Sequence, residues 1–133
     1  IYAVRELPLV FIKLTTNTHE IAIAVSRASG FTVEEIRSPR RRKELVVARQ
    51  LVCFLARELT SASFPQIGKY LGGRDHSTVL SGNRATKERA RQHNEWSEML
   101  RYFFGATMDI MNLPVERQNE LNAKLYGEKN VKN

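Results

Sequence analysis

A short polar segment at residues 72–78 contains residue types that could recognise another molecule. It reads Gly72-Gly73-Arg74-Asp75-His76-Ser77-Thr78. The glycine pair can end one helix, and the polar residues after it then occupy the first turn of the next helix. This order predicts a helix-turn-helix whose second helix enters a DNA major groove with its N-terminus first. The positive end of the helix dipole would also favour a phosphate there.

The four polar residues of this turn differ in the contacts that they can make. Asp75 can accept a hydrogen bond from cytosine N4 or act as the helix N-cap, and the two roles can coexist. His76 and Thr78 can contact a thymine methyl or a base edge, whereas Ser77 can hydrogen-bond but has no methyl group. A structural role is the alternative for His76 considered alone. The four side chains together favour base contact.

Positive charge is concentrated around this segment. Residues 27–91 contain fourteen Lys and Arg and six acidic residues, whereas the rest of the chain contains seven and eight. The net charge of +7 therefore resides in the middle of the chain, as in nucleic-acid-binding modules. A basic surface with no specific partner would have the same composition. The run Arg40-Arg41-Arg42-Lys43 could hold phosphates or reach the adjacent minor groove.

Helical periodicity predicts that an all-α bundle positions these residues. Capping residues and glycines mark the helix ends. The predicted helices run from Thr18, as N-cap, to Gly30; from a capping box at Thr32–Glu35; from near Glu44 to about Thr60; from a capping box at Ser63 and Gln66 to Gly72; and from near Asp75 to about Gln92.

Two polar stripes interrupt the predicted core faces. Arg49, Gln50 and Arg57 lie on one side of the longest helix, which is otherwise apolar almost all round. This stripe must face water or a charged partner, and a solvated edge is the alternative to a binding role. The second stripe, on the helix after the turn, is basic and consists of Arg84, Lys87 and Arg91.

The character of the chain changes after His93. An apolar stripe of Trp96, Met99, Leu100, Phe103 and Ile110 follows helical spacing. We expect it to pack onto the preceding domain rather than to form a partner or dimer interface. A final helix is expected at 115–126, closed by a glycine. Near the other end of the chain, residues 9–12 could form a short strand or a docking segment.

The sequence contains no pattern that favours an enzyme, a cofactor or a metal site. It has no G-x-x-x-x-G-K-[ST] phosphate loop. The histidines at 19, 76 and 93 are far apart and lack nearby cysteine partners. Asp75, His76 and Ser77 are the residue types of a hydrolase, but adjacent residues on one helical turn point apart. We therefore expect a non-enzymatic binding protein without a cofactor or metal.

Cysteine usage and hydropathy indicate the compartment. The single cysteine, Cys53, lies in an apolar helix and is expected to be a buried structural thiol. A chain with one cysteine cannot form an internal disulfide, which suits a reducing cytosol. No signal peptide is visible, and no apolar run reaches the length of a membrane span. The expected location is cytoplasmic, in association with the nucleoid.

Residues 18–95 resemble the C-terminal DNA-binding domain of DnaA, the bacterial chromosomal replication initiator. The densest match runs from Arg49 to Leu80 and includes Arg49-Gln50, Glu58-Leu59-Thr60, Pro65, Ile67-Gly68 and Gly72-Gly73-Arg74-Asp75-His76-Ser77-Thr78-Val79-Leu80. The resemblance implies an all-helical helix-turn-helix that binds the asymmetric DnaA box as one monomer per site.

The resemblance also implies roles for individual residues. Arg41 would insert into an A/T-rich minor groove, and residues 75–78 would read bases in the major groove. Arg49, Gln50, Arg57 and Pro65 would hold the DNA backbone or base edges. The full set of predicted DNA-binding residues is Arg41, Arg42, Arg49, Gln50, Arg57, Pro65, Lys69, Arg74, Asp75, His76, Ser77, Thr78, Arg84 and Lys87.

Two single positions, one short segment and the C-terminal extension depart from the family pattern. Ser77 replaces the usual threonine, which puts a thymine-methyl contact in doubt, and Ala85 replaces a common lysine, which puts a phosphate contact in doubt. The segment Leu45-Val46-Val47 is more apolar than in many members. The extension after residue 95 is also unlike the family.

We expect three segments: an N-terminal extension or docking segment at 1–17, a DnaA-like helix-turn-helix domain at 18–95, and a C-terminal helical extension with a frayed tail at 96–133. The extension favours a free-standing small protein, whereas a sequence that starts with Ile1 leaves a fragment of a longer initiator open. Without a phosphate loop, this chain should recognise closed duplex and neither bind ATP nor melt an origin.

Three functions fit these observations. The first is sequence-specific binding of double-stranded DNA at DnaA-box-like sites, in replication initiation or its regulation. The second is a transcription regulator that uses the same domain at promoters. The third is an adaptor whose C-terminal helix docks a protein partner, for example a replication protein, with DNA contact secondary.

Overall fold

A computed structural model describes residues 17–127, which contain helices and no strand. The all-α prediction is therefore confirmed. The possible strand at 9–12 and the frayed tail lie outside the described residues. The helices are α1 Thr18–Ser29, α2 Val33–Ile36, α3 Lys43–Leu59, α4 Phe64–Tyr70, α5 His76–Ala90, α6 Glu95–Met111 and α7 Val115–Tyr126.

Capping side chains determine most of the helix starts. The predicted capping boxes that open α2 and α4 are both present. The prediction for α1 was wrong by one residue, because Asn17 and not Thr18 is the N-cap. The Asn17 side chain accepts a hydrogen bond from the Glu20 N–H (2.9 Å), and the Glu20 carboxylate accepts one from the Asn17 N–H (3.2 Å). A further box, with Asn94 as N-cap, opens α6.

Helix α3 is the centre of the hydrophobic core. It packs against α1, α5 and α6, and apolar side chains from all four helices are buried in one cluster. Cys53 lies within it, 4% exposed, and burial raises the pKa of its thiol to about 12. The thiol therefore stays protonated at neutral pH, as expected of a structural cysteine.

The helices after residue 93 share this core. Leu100 and Phe103 of α6 are buried where α6 packs on α1 and α3, and Leu121 of α7 is fully buried. The predicted packing of the apolar stripe onto the domain is therefore confirmed. Ile110 is an exception, because it is 41% exposed. No helix within residues 17–127 has both the length and the apolar character needed to cross a bilayer.

The turn between α4 and α5 depends on glycine for two different reasons. Gly72 and Gly73 have φ angles of +83° and +84°, in the left-handed region that other residues rarely adopt. Gly68 lies within α4, where the turn folds back so closely that the Arg74 N–H bonds to the Gly68 carbonyl (2.7 Å). A Cβ on Gly68 would lie 2.1 Å from the Arg74 carbonyl oxygen.

Gly68→Ala should therefore lower the free energy of unfolding by about 1–3 kcal/mol, because the added methyl group meets backbone that must shift. Gly105→Ala is the matched control, since nothing lies within 4 Å of a Cβ at that position of α6. The control should be neutral or stabilising by up to about 1 kcal/mol. Urea unfolding followed by circular dichroism measures both. Equal midpoints for the two variants would contradict the close approach of the turn.

Candidate nucleic-acid interface

The start of α5 presents its polar residues to solvent. Asp75, His76, Ser77 and Thr78 are all exposed, and the Asp75 and His76 side chains are each 64% exposed. The His76 Nδ1 lies 3.4 Å from an Asp75 carboxylate oxygen. Such exposure provides no packing role for the imidazole, and it leaves the ring accessible to a ligand.

Asp75 occupies the N-cap position, but its side chain makes no capping hydrogen bond. Its carboxylate instead accepts a hydrogen bond from the Ser77 hydroxyl. That bond favours the ionised form and holds the pKa of Asp75 below its usual value. Ser77 therefore restrains the carboxylate on the exposed end of the helix.

Two guanidinium groups fix the residues between α2 and α3 against the turn. Arg49 of α3 is only 7% exposed; its Nε donates to the Ile36 carbonyl (2.7 Å) and its Nη2 to the Ser38 carbonyl (2.8 Å). Arg74 of the turn also donates to the Ser38 carbonyl, from Nη2 (2.7 Å). One carbonyl thus joins the central helix, the turn and the start of the basic run.

Burial changes the acid–base properties of both groups. Burial, and to a smaller extent the neighbouring charge of Arg74, lower the pKa of Arg49 to about 10. Burial also lowers the pKa of Arg74. Both guanidinium groups still carry their charge at neutral pH. They therefore contribute a fixed positive field, although several of their N–H groups donate to backbone carbonyls of the protein.

A second set of contacts connects the end of α2 to the end of α4. The Arg37 Nε donates to the Tyr70 carbonyl (2.6 Å), and its guanidinium lies 4.5 Å from the centre of the Tyr70 ring. The Tyr70 hydroxyl lies 2.7 Å from the His19 Nδ1. A Cβ on Gly72 would lie 2.4 Å from the Arg37 carbonyl oxygen. These contacts hold the turn at a defined distance from the residues that precede α3.

A cleft of about 520 Å³ opens between the basic run and α5. It brings together five of the predicted residues, which are distant in sequence: Arg41, Arg49, Gln50, Arg74 and Thr78.

Within the basic run, Arg41 differs from its neighbours. Arg40 pairs with Glu35, at 3.7 Å, and Lys43 pairs with Glu95. The Arg42 guanidinium lies 5.6 Å from the centre of an aromatic ring. Within residues 17–127, no ion pair or cation–π contact involves Arg41, which is exposed at the edge of the cleft.

The remaining predicted residues lie outside the lining of the cleft. Arg57 and Pro65 are exposed close to the start of α4, where the Arg57 guanidinium lies 4.9 Å from the centre of the Phe64 ring. Lys69 and Arg84 are exposed, and Lys87 is half-buried.

The polar stripe predicted on α3 does not form a continuous solvent-exposed face. Arg57 is exposed, Gln50 is half-buried, and Arg49 is buried because backbone carbonyls inside the protein accept its hydrogen bonds. On α5, Leu80 is half-buried.

Sequence reasoning missed two polar residues of α5. Ser81 is exposed three residues after Thr78, and helical spacing could have placed it on the same face. Arg89 donates to the Gln50 side chain, a contact between residues thirty-nine positions apart that no local pattern contains.

Comparison with known proteins assigns this arrangement to a family. The family model described as "Bacterial dnaA protein helix-turn-helix" matches residues 18–85. The chain belongs to the bacterial DnaA helix-turn-helix family. The domain of this family binds double-stranded DNA, and α4, the turn and the start of α5 lie within the matched residues. The match ends within α5, and α6 and α7 lie outside it.

The chain is similar to the bacterial proteins named chromosomal replication initiator protein DnaA. It is 48% identical over 73 residues to the protein from Streptococcus agalactiae serotype Ia, which covers 55% of this chain and 16% of that protein. It is 54% identical over 61 residues to the proteins from Streptococcus equi subsp. zooepidemicus and Streptococcus pyogenes serotype M5, covering 46% of this chain and 14% of each relative. The chain thus spans a small part of the length of these DnaA relatives.

The buried position of Arg49 predicts a stability effect that is separate from DNA binding. Arg49→Met should lower the free energy of unfolding by about 1–3 kcal/mol, because it leaves buried carbonyls without donors. Arg57→Met is the control on the same helix, since Arg57 is exposed, and it should change stability by at most about 0.5 kcal/mol. Thermal and urea unfolding measure both variants. An Arg49 variant as stable as the wild type would show that these hydrogen bonds do not hold the segment in place.

Proposed function

We propose that this chain binds double-stranded DNA sequence-specifically at DnaA-box-like sites, one monomer per site, in the initiation of chromosomal replication or its control. The observation that carries the proposal is the cleft. Arg41, which has no ion pair or cation–π contact within residues 17–127, lies on one side of it, and the exposed start of α5, through Thr78, lies on the other. Two elements on one rigid frame can then enter adjacent grooves.

The major-groove contacts would come from the first turn of α5. Asp75, restrained by Ser77, accepts a hydrogen bond from cytosine N4, and His76 donates to a base edge. Thr78 contributes a methyl group and a hydroxyl, whereas Ser77 offers only hydrogen bonding. The positive end of the α5 helix dipole can hold a phosphate beside these bases.

The minor-groove contact would come from Arg41. An A/T-rich minor groove is narrow and strongly negative, which favours an arginine without a competing carboxylate. The fixed charges of Arg49 and Arg74 add positive potential within the cleft. Phosphates on either side would be held by basic residues and the first turn of α4. These residues are Arg42, Arg57, Pro65, Lys69 and Arg84, which are exposed, and Lys87, which is half-buried.

The other two hypotheses have weaker support. The adaptor hypothesis needs an available apolar face, but α6 uses most of its apolar stripe in the core. Within the described residues, the large apolar side chains that stay exposed are Tyr102, Ile110 and Val115. A replication protein that docks on the extension therefore stays a prediction.

Genome-wide mapping of the sites that the protein occupies would separate a replication role from a transcription role. A location in the cytoplasm, at the nucleoid, follows from DNA binding and is part of the proposal.

The central test is a fluorescence-anisotropy titration against a DnaA-box duplex and a scrambled duplex. The box should bind at least about 10³-fold more tightly at physiological salt. The logarithm of the affinity should fall linearly with the logarithm of the salt concentration, because bound Lys and Arg release phosphate counterions. Equal affinity for the two duplexes would contradict sequence-specific binding, and a flat salt response would favour an adaptor.

Arg41→Ala and His76→Ala should fail in different ways. Loss of Arg41 should weaken binding most for duplexes with A/T-rich flanks, because the lost contact is in the minor groove. Loss of His76 should cost about 1–3 kcal/mol and relax specificity at one or two base pairs. Titration against a panel of single-base variants measures both. A His76 variant with reduced thermal stability and unchanged base preference would support the structural alternative instead.

A further inference from the structure

Three side chains link α6 to the DNA-facing cleft. Trp96, in the first turn of α6, lies against the Arg89 guanidinium, whose carbon is 4.0 Å from the ring centre. Arg89 in turn donates from Nη1 to the Oε1 of Gln50, and Gln50 lines the cleft together with Thr78. Both Arg89 and Trp96 lie outside the region that the family model matches.

The contact with Arg89 determines which end of the Gln50 amide is occupied. A guanidinium can only donate hydrogen bonds, so the amide oxygen must face it. The NH₂ group is then the end that can donate to an acceptor in the cleft. DNA offers such acceptors as phosphate oxygens. Without Arg89, the amide could rotate and place its carbonyl oxygen toward the negative backbone.

The start of α6 is itself held in place. Lys43 pairs with the Glu95 carboxylate, and its Nζ lies 5.8 Å from the centre of the Trp96 ring. The Arg101 Nη2 donates to the Gln92 carbonyl (3.0 Å), just after the end of α5. Trp96 therefore has a fixed position between the basic run and the end of α5. Contact with its ring restricts the directions in which Arg89 can point.

We propose that Trp96 and Arg89 are positioning residues that orient the Gln50 amide as a hydrogen-bond donor to a DNA phosphate. This inference rests on the proposed function and adds a role for α6. That helix lies after the family-matched region and determines which end of the Gln50 amide faces the cleft. In this proposal neither Arg89 nor Trp96 contacts DNA, and both affect affinity through Gln50.

A double-mutant cycle on DNA affinity tests the relay. Gln50→Ala should weaken duplex binding about tenfold, since a hydrogen bond to a charged group is lost. Arg89→Ala should weaken it about three- to tenfold. The double variant should bind within about twofold of Gln50→Ala alone, because Arg89 acts through the same contact. If the loss of affinity in the double variant equals the product of the two single losses, the proposal is wrong.

Arg91→Ala is the matched charge control, because it removes one exposed positive charge near the end of α5. Its effect should multiply with that of Gln50→Ala, unlike the effect of Arg89→Ala. Trp96→Phe should keep an aromatic face for Arg89 and should bind duplex like the wild type. Trp96→Leu should weaken binding about threefold when Gln50 is present, and should have no further effect when Gln50 is replaced by alanine. Circular dichroism identifies any variant that is not folded, and Trp96→Leu then tests the relay in place of Arg89→Ala.

The experiment separates this inference from the proposed function. Every variant is titrated with the box duplex and the scrambled duplex, because a phosphate contact does not depend on base sequence. Equal affinity of the wild type for both duplexes would contradict the proposed function, and the cycle would still decide the relay on either duplex. A wild-type chain that binds neither duplex would contradict both.

Discussion

The carbonyl of Ser38 accepts hydrogen bonds from Arg49 and Arg74, and the geometry of the cleft between the basic run and α5 depends on this junction. It joins the central helix α3, the turn of the helix-turn-helix and the residues that lead into the basic run. An isolated loop of this composition would be free to move away from α5. Because two guanidinium groups hold its start, the run has a defined position across the cleft from α5.

This junction places two cations close together, which is electrostatically unfavourable. Burial and the mutual repulsion of Arg49 and Arg74 lower the pKa of Arg49. Several charge-assisted hydrogen bonds to carbonyls offset this cost within the protein. A negative ligand in the cleft would relieve the remaining repulsion, since the same two charges would then attract it. The frame of the interface thus also supplies part of its positive field.

The helices after the family-matched region have a structural role as well as the proposed one. Phe103 and Phe104 of α6 enlarge the core around α1 and α3, and α7 packs against α5. The Arg117 side chain donates to the Glu58 carbonyl, which attaches α7 to the end of α3. The DNA-binding module and its extension are therefore one packed unit within residues 17–127. A change in α6 can reach the cleft through Arg89 without any change in the fold.

The sequence by itself determined the all-α class, most helix bounds and the exposed start of α5. These features depend on local rules: capping boxes, apolar periodicity, and glycines that permit a left-handed turn. The one wrong cap, at Thr18, reflects two adjacent residues that can both cap, of which Asn17 makes the hydrogen bonds.

Only the tertiary structure decided which polar side chains are exposed and which are buried. Arg49 and Arg57 are equally polar in the sequence, yet one is buried against backbone carbonyls and the other is exposed. The close approach at Gly68, the position of Arg41 at the edge of the cleft and the link from Trp96 to Gln50 have the same origin. Each depends on groups that are distant along the chain and meet only when the helices pack, so periodicity and spacing contain no information about them.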